Sequence, residues 1–169
     1  MMRKNLFSWI NEDIYIIMKS FKLNKKILLP IMMGVVFVIL YGNFNILIFL
    51  ISLIAFFDFN TLYIPDILNY SLIIFGLINS NFINMIISII IFFILLPYSK
   101  KDKLGFGDIK LIFGLTLYYG YYIFYIIIFS VILSLIFSKK EKIPLGFYLY
   151  WGVVIENIWF FNFKPFSFF

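Results

Sequence analysis

The stretch Gly105-Phe106-Gly107-Asp108-Ile109-Lys110 lies where a basic loop meets a long apolar run. An earlier stretch, Asp58-Phe59-Asn60-Thr61-Leu62-Tyr63-Ile64-Pro65-Asp66, follows another apolar run and carries a helix-breaking proline. Both stretches therefore place a carboxylate at the end of a hydrophobic segment. We interpret Asp58 and Asp108 as one pair of acids at a membrane face, which the rest of the chain holds in place.

Apolar side chains dominate the composition. Hydrophobic residues make up 64% of the chain and charged residues 13%, whereas a soluble domain is about half apolar and about a quarter charged. This composition predicts an all-α, polytopic transmembrane helical bundle with little mass outside the bilayer. The chain has no Cys and no His, which excludes disulfides, thiol nucleophiles and zinc sites built on those residues. We expect neither a metal nor a cofactor.

Seven apolar runs set the expected architecture. They are Ile27–Tyr41, Phe44–Phe57, Ile67–Ile78, Phe82–Tyr98, Ile109–Tyr119, Tyr121–Phe137 and Leu145–Phe161. Several are shorter than the ~20 residues that a span normally needs, so their ends must extend into the flanking motifs. We predict about six to seven spans, six if one run is re-entrant, within a transmembrane domain formed by residues 27–169.

Residues 1–26 are expected to form a separate cytoplasmic segment. Their apolar side chains recur at helical spacing among Lys and Arg residues. This pattern predicts an N-terminal amphipathic helix that lies in the headgroup region of the bilayer. A cleaved signal peptide is not expected, because a longer apolar core and a small-residue cleavage site are missing.

The distribution of Lys residues predicts the orientation. The polar breaks at Gly42-Asn43, Asn79-Ser80-Asn81 and Gly120 contain no Lys or Arg, whereas the alternate connections over residues 100–103 and 139–142 are rich in Lys. The remaining alternate connection, Asp58–Asp66, has no basic residue of its own. The positive-inside rule therefore places the N-terminus and the basic loops on the cytoplasmic side. The net charge of +6 then reflects membrane orientation and not nucleic-acid binding. One helical hairpin separates the two acids of the pair, so both return to the cytoplasmic face.

Two neighbouring carboxylates at one depth suit an aspartic mechanism. They share a proton, so that the ionised acid activates water while the protonated acid polarises a carbonyl group. Gly105 and Gly107 allow backbone to approach the carboxylate closely. Asp58 ends a helix, where the dipole disfavours an anion, whereas Asp108 begins one. This difference predicts that Asp58 holds the shared proton.

Each of these residues also has a structural interpretation. Asp108 and Asp66 follow a glycine turn and a proline, and either acid could be a helix N-cap. Lys110 could extend towards the headgroups or neutralise Asp108. Glu156 could form a buried polar contact or mark the outer end of a short helix, and we do not assign it to the site. A non-enzymatic membrane protein could use such acids as an ion or proton path.

Three segments together resemble the type IV prepilin leader peptidases, of the GxGD class of membrane aspartyl proteases. Asp58 with Ile64-Pro65-Asp66 is similar to the first motif of that family, and Gly105 to Lys110 matches its Gly-x-Gly-Asp-x-Lys motif in full. Ile143-Pro144-Leu145-Gly146-Phe147 resembles a later Ile-Pro-Phe-Gly-Pro segment, with departures at its third and fifth positions. The resemblance extends over about residues 27–161.

The resemblance implies an aspartic endopeptidase that uses Asp58 and Asp108 as catalytic residues. Supporting positions are those that the motifs share with the family: Gly105, Gly107, Lys110, Pro65 and Asp66. The implied partners are the lipid bilayer and prepilin or pseudopilin precursors, which are cut after a glycine at the cytoplasmic end of their apolar segment. The implied location is the inner or plasma membrane, as a multi-pass protein with a cytoplasmic active site.

Larger members of that family carry paired cysteines, which bind zinc in a region linked to methylation of the new N-terminus. The absence of Cys here therefore implies a peptidase-only form. A preflagellin-type peptidase or another GxGD protease remains an alternative. Relatives of the signal peptide peptidases usually have Tyr-Asp where this chain has Phe57-Asp58, which argues against them. The oligomeric state stays open.

Overall fold

A computed structural model describes residues 11–15, 18, 28–42, 45–99, 104–137 and 143–162. The regular structure in these ranges is helical throughout, with no strand. The described residues include seven α-helices: α1 (Leu28–Tyr41), α2 (Ile46–Thr61), α3 (Asp66–Asn79), α4 (Phe82–Ser99), α5 (Phe106–Tyr119), α6 (Ile123–Phe137) and α7 (Leu145–Asn162). The predicted all-α class is therefore confirmed.

Two helical stretches are long and apolar enough to cross a membrane. One is α4, with 18 residues, and the other is the continuous run Phe106–Phe137, with 32 residues. Large apolar side chains on α4 face outwards, with Phe82 77% and Phe93 66% exposed, as suits contact with lipid. Three shorter apolar helices, α1 to α3, accompany them. These helices indicate a membrane protein, whereas six to seven spans stay a prediction.

The predicted amphipathic helix over residues 1–26 lies mostly outside the described residues. Of that segment, residues 11–15 and Met18 are described, and all are helical. The basic loops over residues 100–103 and 138–142 also lie outside the described ranges. The side chains that predict the orientation are therefore known from the sequence alone.

The helices pack around two central members, α5 and α7. Helix α5 packs against α3 and α4, whereas α7 packs against α1, α2 and α6. A Cβ atom at Gly76 of α3 would lie 2.8 Å from the carbonyl oxygen of Gly114 on α5, so small residues let these backbones nearly touch. On the other side, the buried Tyr150 of α7 donates a 2.6 Å hydrogen bond to the Ile31 carbonyl of α1.

Hydrogen bonds at one end of the bundle show how the helices run. Asn45, the N-cap of α2, donates to the Tyr118 hydroxyl near the end of α5 at 2.9 Å. Asn157, late in α7, donates to the Tyr119 hydroxyl at 2.6 Å. The start of α2 and the ends of α5 and α7 therefore share this end. The opposite end collects the end of α2, which carries Asp58, and the starts of α5 and α7.

Candidate active site

Asp58 is a buried carboxylate in the last turn of α2, 4% exposed. Its Oδ2 accepts a hydrogen bond from the backbone N–H of Phe147 at 3.3 Å, and the Gly146 backbone makes a second such interaction. Both donors belong to the first turn of α7, where backbone N–H groups have no partner within the helix. The start of α7 therefore supplies hydrogen bonds and a favourable dipole to the Asp58 carboxylate.

Gly146 allows the start of α7 to lie close to the Asp58 carboxylate. A Cβ atom at Gly146 would lie 3.1 Å from Oδ2 of Asp58 and 3.3 Å from its Cγ. The late segment, whose role the sequence does not define, thus lies directly on one of the paired acids. Phe147 stands where the similar family segment has proline, which has no backbone N–H, so this departure adds the donor that bonds to Asp58.

Asp108 is the third residue of α5, after the N-cap Gly105. It is therefore not the N-cap that one interpretation of the sequence proposes. Its carboxylate reaches back to interact with the Gly105 backbone, as the third-position acid of a capping box does. A Cβ atom at Gly105 would lie 2.9 Å from Oδ2 of Asp108. The first glycine of the motif thus makes room for the carboxylate.

One cavity joins the two acids, although they come from different helices. Asp58 and Asp108 both line a cavity of about 370 Å³, and the charge of Asp108 acts on Asp58. The other lining residues are Leu62, Tyr63, Ile64, Asp66, Gly105, Phe106, Gly107 and Lys110. Of the site residues predicted from the sequence, Pro65 alone does not line this cavity in the described part of the chain.

Helix ends separate the two acids less than the sequence predicts. Asp58 lies at the unfavourable end of its own helix, α2. In the folded chain its carboxylate also faces the start of α7, and Asp108 faces the start of α5. Asp58 therefore lies at the end of one helix and the start of another, whereas Asp108 lies only at a helix start. The difference between the two acids is reduced but keeps its direction, and a proton on Asp58 stays a prediction.

Lys110 pairs with Asp66 and not with Asp108 among the described residues. Its Nζ lies 2.7 Å from Oδ1 of Asp66 and 4.9 Å and 5.0 Å from the ring centres of Tyr70 and Phe106. Asp66 is the first residue of α3, which Pro65 precedes as N-cap, so the N-cap interpretation of Asp66 is wrong. The ion pair instead joins α3 to α5 at the cavity wall.

The loop between α2 and α3 forms another wall of the cavity. Leu62 has a left-handed backbone with φ 53°, and its N–H donates to the Asp58 carbonyl at 2.8 Å. A left-handed leucine is uncommon, and such backbone strain is often found at functional sites. The Thr61 hydroxyl donates to the carbonyl groups of Phe57 and Tyr63 at 2.8 Å and 3.2 Å, which fixes the loop against α2.

Two residues near the site are missed by the sequence argument. Asp13 accepts a 2.8 Å hydrogen bond from the Tyr63 hydroxyl. Asn69, fully buried in α3, donates to the Gly107 carbonyl at 3.2 Å and so ties α3 to the glycine motif. A polar side chain within an apolar run is the one signal that could have marked Asn69.

Glu156 lies at the other end of the bundle. It is buried in α7, 8% exposed, beside Asn157, which donates to the Tyr119 hydroxyl. It does not line the cavity that joins the paired acids. Of the two interpretations offered by the sequence, the structure therefore favours a buried polar contact.

These features define a helical membrane protein with two carboxyl groups across one cavity at a common end of its helices. The chain belongs to the type IV leader peptidase family, whose family model matches residues 44–138. The match includes both acidic motifs and ends before the segment that begins at Ile143. Comparison with curated proteins and with solved structures gives no match. Family membership confirms the resemblance and implies a peptidase.

Proposed function

We propose that this chain is an aspartic endopeptidase that removes the leader peptide from prepilin or pseudopilin-like precursors. One observation carries the proposal: Asp58 and Asp108, from separate helices, line a single cavity and interact electrostatically. Cleavage takes place at the cytoplasmic face of the inner or plasma membrane. Catalysis rests on the two carboxyl groups and a water molecule.

The chemistry begins with one ionised and one protonated acid. The ionised carboxylate removes a proton from water, and the water oxygen attacks the carbonyl carbon of the scissile bond. The protonated acid donates a hydrogen bond to the carbonyl oxygen as negative charge develops there. When the tetrahedral intermediate collapses, the C–N bond breaks and the amine leaves with a proton from the pair. The backbone donors at Asp58 and Asp108 hold both acids in place throughout.

An apolar groove beside the cavity supports a precursor with an apolar segment next to the cut. The groove has a volume of about 600 Å³ and lies between α4, α5, α6 and α7. Its lining includes Leu104 and Leu145, which directly precede Gly105 and Gly146, the two glycines against the carboxylates. Two residues of the groove lining therefore adjoin the glycines that contact the paired acids. We propose that the groove holds the apolar segment of the precursor.

Ile94→Trp should fill this groove and weaken precursor binding. Ile94 lines the groove and is 59% exposed, so the larger ring meets space and not the protein core. We expect KM to rise about tenfold with little change in kcat, because the groove binds the precursor equally in the ground and transition states. Ile78→Trp is the matched control, since Ile78 is 77% exposed and lies away from the groove. Equal kinetics in the two variants would reject the groove as a binding site.

Single-cysteine labelling tests the proposed orientation. The chain has no Cys, so each variant carries one thiol. Lys101→Cys should react with an impermeant thiol reagent only from the cytoplasmic side, because basic loops are retained there. Ser80→Cys should react only from outside. Reversed labelling would place the paired acids on the outer face and contradict the cytoplasmic site.

Co-expression with candidate precursors tests the activity itself. Mass spectrometry of the precursor N-terminus should show loss of the leader and a cut after a glycine. Preflagellin-type precursors should be tested alongside prepilins, because cleavage of preflagellins alone would identify a preflagellin-type peptidase. An intact precursor in every case would favour the non-enzymatic alternative.

A further inference from the structure

Asp13 is a buried acid in a short helical stretch, residues 11–15. It is 1% exposed, whereas its four neighbours in that stretch are exposed. A buried carboxylate is costly unless it is paired or hydrogen-bonded. Both oxygens of Asp13 have partners far along the chain: Oδ1 accepts from the Tyr63 hydroxyl at 2.8 Å, and Oδ2 accepts from the backbone N–H of Ile67 at 3.0 Å.

The bond to Ile67 caps helix α3 from another part of the chain. Ile67 is the second residue of α3, and the N-cap Pro65 makes no side-chain hydrogen bond. A cap side chain normally accepts a hydrogen bond from the second or third N–H of its helix. Asp13 fills this role, and its negative charge suits the helix N-terminus. The start of α3 therefore depends on the N-terminal segment.

The bond to Tyr63 fixes the other end of the loop between α2 and α3, which forms a wall of the cavity. Tyr63 lines the catalytic cavity and is 39% exposed. Burial, and then the hydrogen bond to Asp13, raises the pKa of the Tyr63 hydroxyl, as expected for a hydroxyl that donates to a carboxylate. Asp13 thus holds the segment from Tyr63 to Ile67 at both ends. Asp58 and Asp108 have their own backbone partners and do not contact Asp13 among the described interactions.

We propose that Asp13 is a positioning residue that fixes this wall of the cavity and thereby sets the affinity for the precursor. The inference rests on the proposed peptidase function and extends it, because it makes the N-terminal segment part of the substrate site. Asp13 acts through Tyr63 and the start of α3 and not on the reacting atoms. Its loss should therefore change binding far more than chemistry.

Steady-state cleavage by the full chain tests this role. Asp13→Ala should raise KM roughly ten- to hundredfold, the range expected when hydrogen bonds to a charged group are lost. We expect kcat to change less than about threefold and its pH profile to keep its shape, because both catalytic acids retain their partners. Glu12→Ala is the matched control, since it removes the same charge from an exposed neighbour, and it should behave as wild type.

Two further variants separate the bonds. Asp13→Asn retains an acceptor for the Ile67 N–H and should recover much of the wild-type KM, including if Asp13→Ala fails to fold. Tyr63→Phe removes only the hydroxyl bond and should give an intermediate KM. Added to Asp13→Ala, it should cause little further loss, because the two residues share one interaction. Full additivity of the two effects would overturn the proposal.

Hydrogen–deuterium exchange provides a readout that does not need cleavage. Asp13→Ala should speed exchange of the Ile67 amide roughly fivefold or more, as expected for a lost helix cap, and Glu12→Ala should not. If the wild type cuts no precursor but the Ile67 amide responds in this way, the proposed peptidase function fails and the contact stands. An unchanged KM and unchanged exchange in Asp13→Ala would overturn the inference. A lower kcat at unchanged KM, or a displaced pH profile, would also overturn it, because Asp13 would then act on the chemistry.

Discussion

Asp58→Asn and Asp108→Asn should each lower kcat/KM for precursor cleavage at least about a thousandfold. An asparagine can neither take a proton from water nor share one with the remaining acid. The change is nearly isosteric, and an amide oxygen at position 58 can still accept from the Phe147 N–H. The fold should therefore persist, which thermal unfolding in detergent can verify. Mass spectrometry of the precursor then measures the loss.

Asp66→Asn is the matched control for this pair. Asp66 lines the same cavity, but its carboxylate is paired with Lys110 at 2.7 Å and is 31% exposed. Partly exposed ion pairs contribute little to stability. The variant should therefore keep kcat/KM within about tenfold of wild type. Wild-type activity in either catalytic variant would reject the aspartic mechanism. A loss in Asp66→Asn as large as in the other two would extend the catalytic machinery to a third acid.

The sequence predicts the helix bodies well and misplaces the two helix ends that carry the paired acids. The run that ends at Phe57 stops before Asp58, whereas α2 continues to Thr61. The predicted run Phe82–Tyr98 corresponds to α4, Phe82–Ser99, and Ile67–Ile78 corresponds to α3, Asp66–Asn79. The run that begins at Ile109 underestimates α5, which begins at Phe106. Hydrophobic contrast marks where a helix is apolar, but the first turn of α5 contains Gly107 and Asp108. The start of that helix is set by its cap and not by its hydrophobicity.

The sequence also predicts that the paired acids share one membrane face, because the hairpin between them crosses the membrane and returns. It does not show the partners that come from distant segments. Asp13 reaches Tyr63, and Asp58 reaches the start of α7, only through tertiary packing. The prediction that Asp58 holds the shared proton has the same limit. The sequence shows which helix carries an acid, but it does not show which other helix begins beside that acid.

The two glycines of the motif, treated alike in the sequence, differ in their surroundings. A Cβ atom at Gly105 would lie 2.9 Å from Oδ2 of Asp108, whereas one at Gly107 would lie 3.6 Å from its nearest neighbour, Cβ of Ile64. The first distance is too short, so the Asp108 carboxylate would have to move. The second distance is an ordinary van der Waals contact. An added methyl group should therefore act on the Asp108 carboxylate at one position and meet only ordinary packing at the other.

Gly105→Ala should lower kcat about a hundredfold while the fold survives. The backbone at Gly105 has φ −62° and ψ 141°, which alanine adopts without strain. The nearest obstacle is the end of the Asp108 side chain, which can turn away at small cost to stability but leaves its place opposite Asp58. A displacement of about 1 Å in a catalytic group can cost about a hundredfold in rate. The melting temperature should change by less than about 5 °C.

Gly107→Ala serves as the matched variant, with the same added methyl group two positions along the motif. We expect its kcat to stay within about tenfold of wild type, because its new Cβ atom meets Ile64 at ordinary distance. Steady-state cleavage and thermal unfolding of both variants give the comparison. Equal losses would show that the motif acts through backbone freedom at both glycines. A much larger loss in Gly105→Ala, at similar stability, would show that its first glycine acts by leaving room for the Asp108 carboxylate.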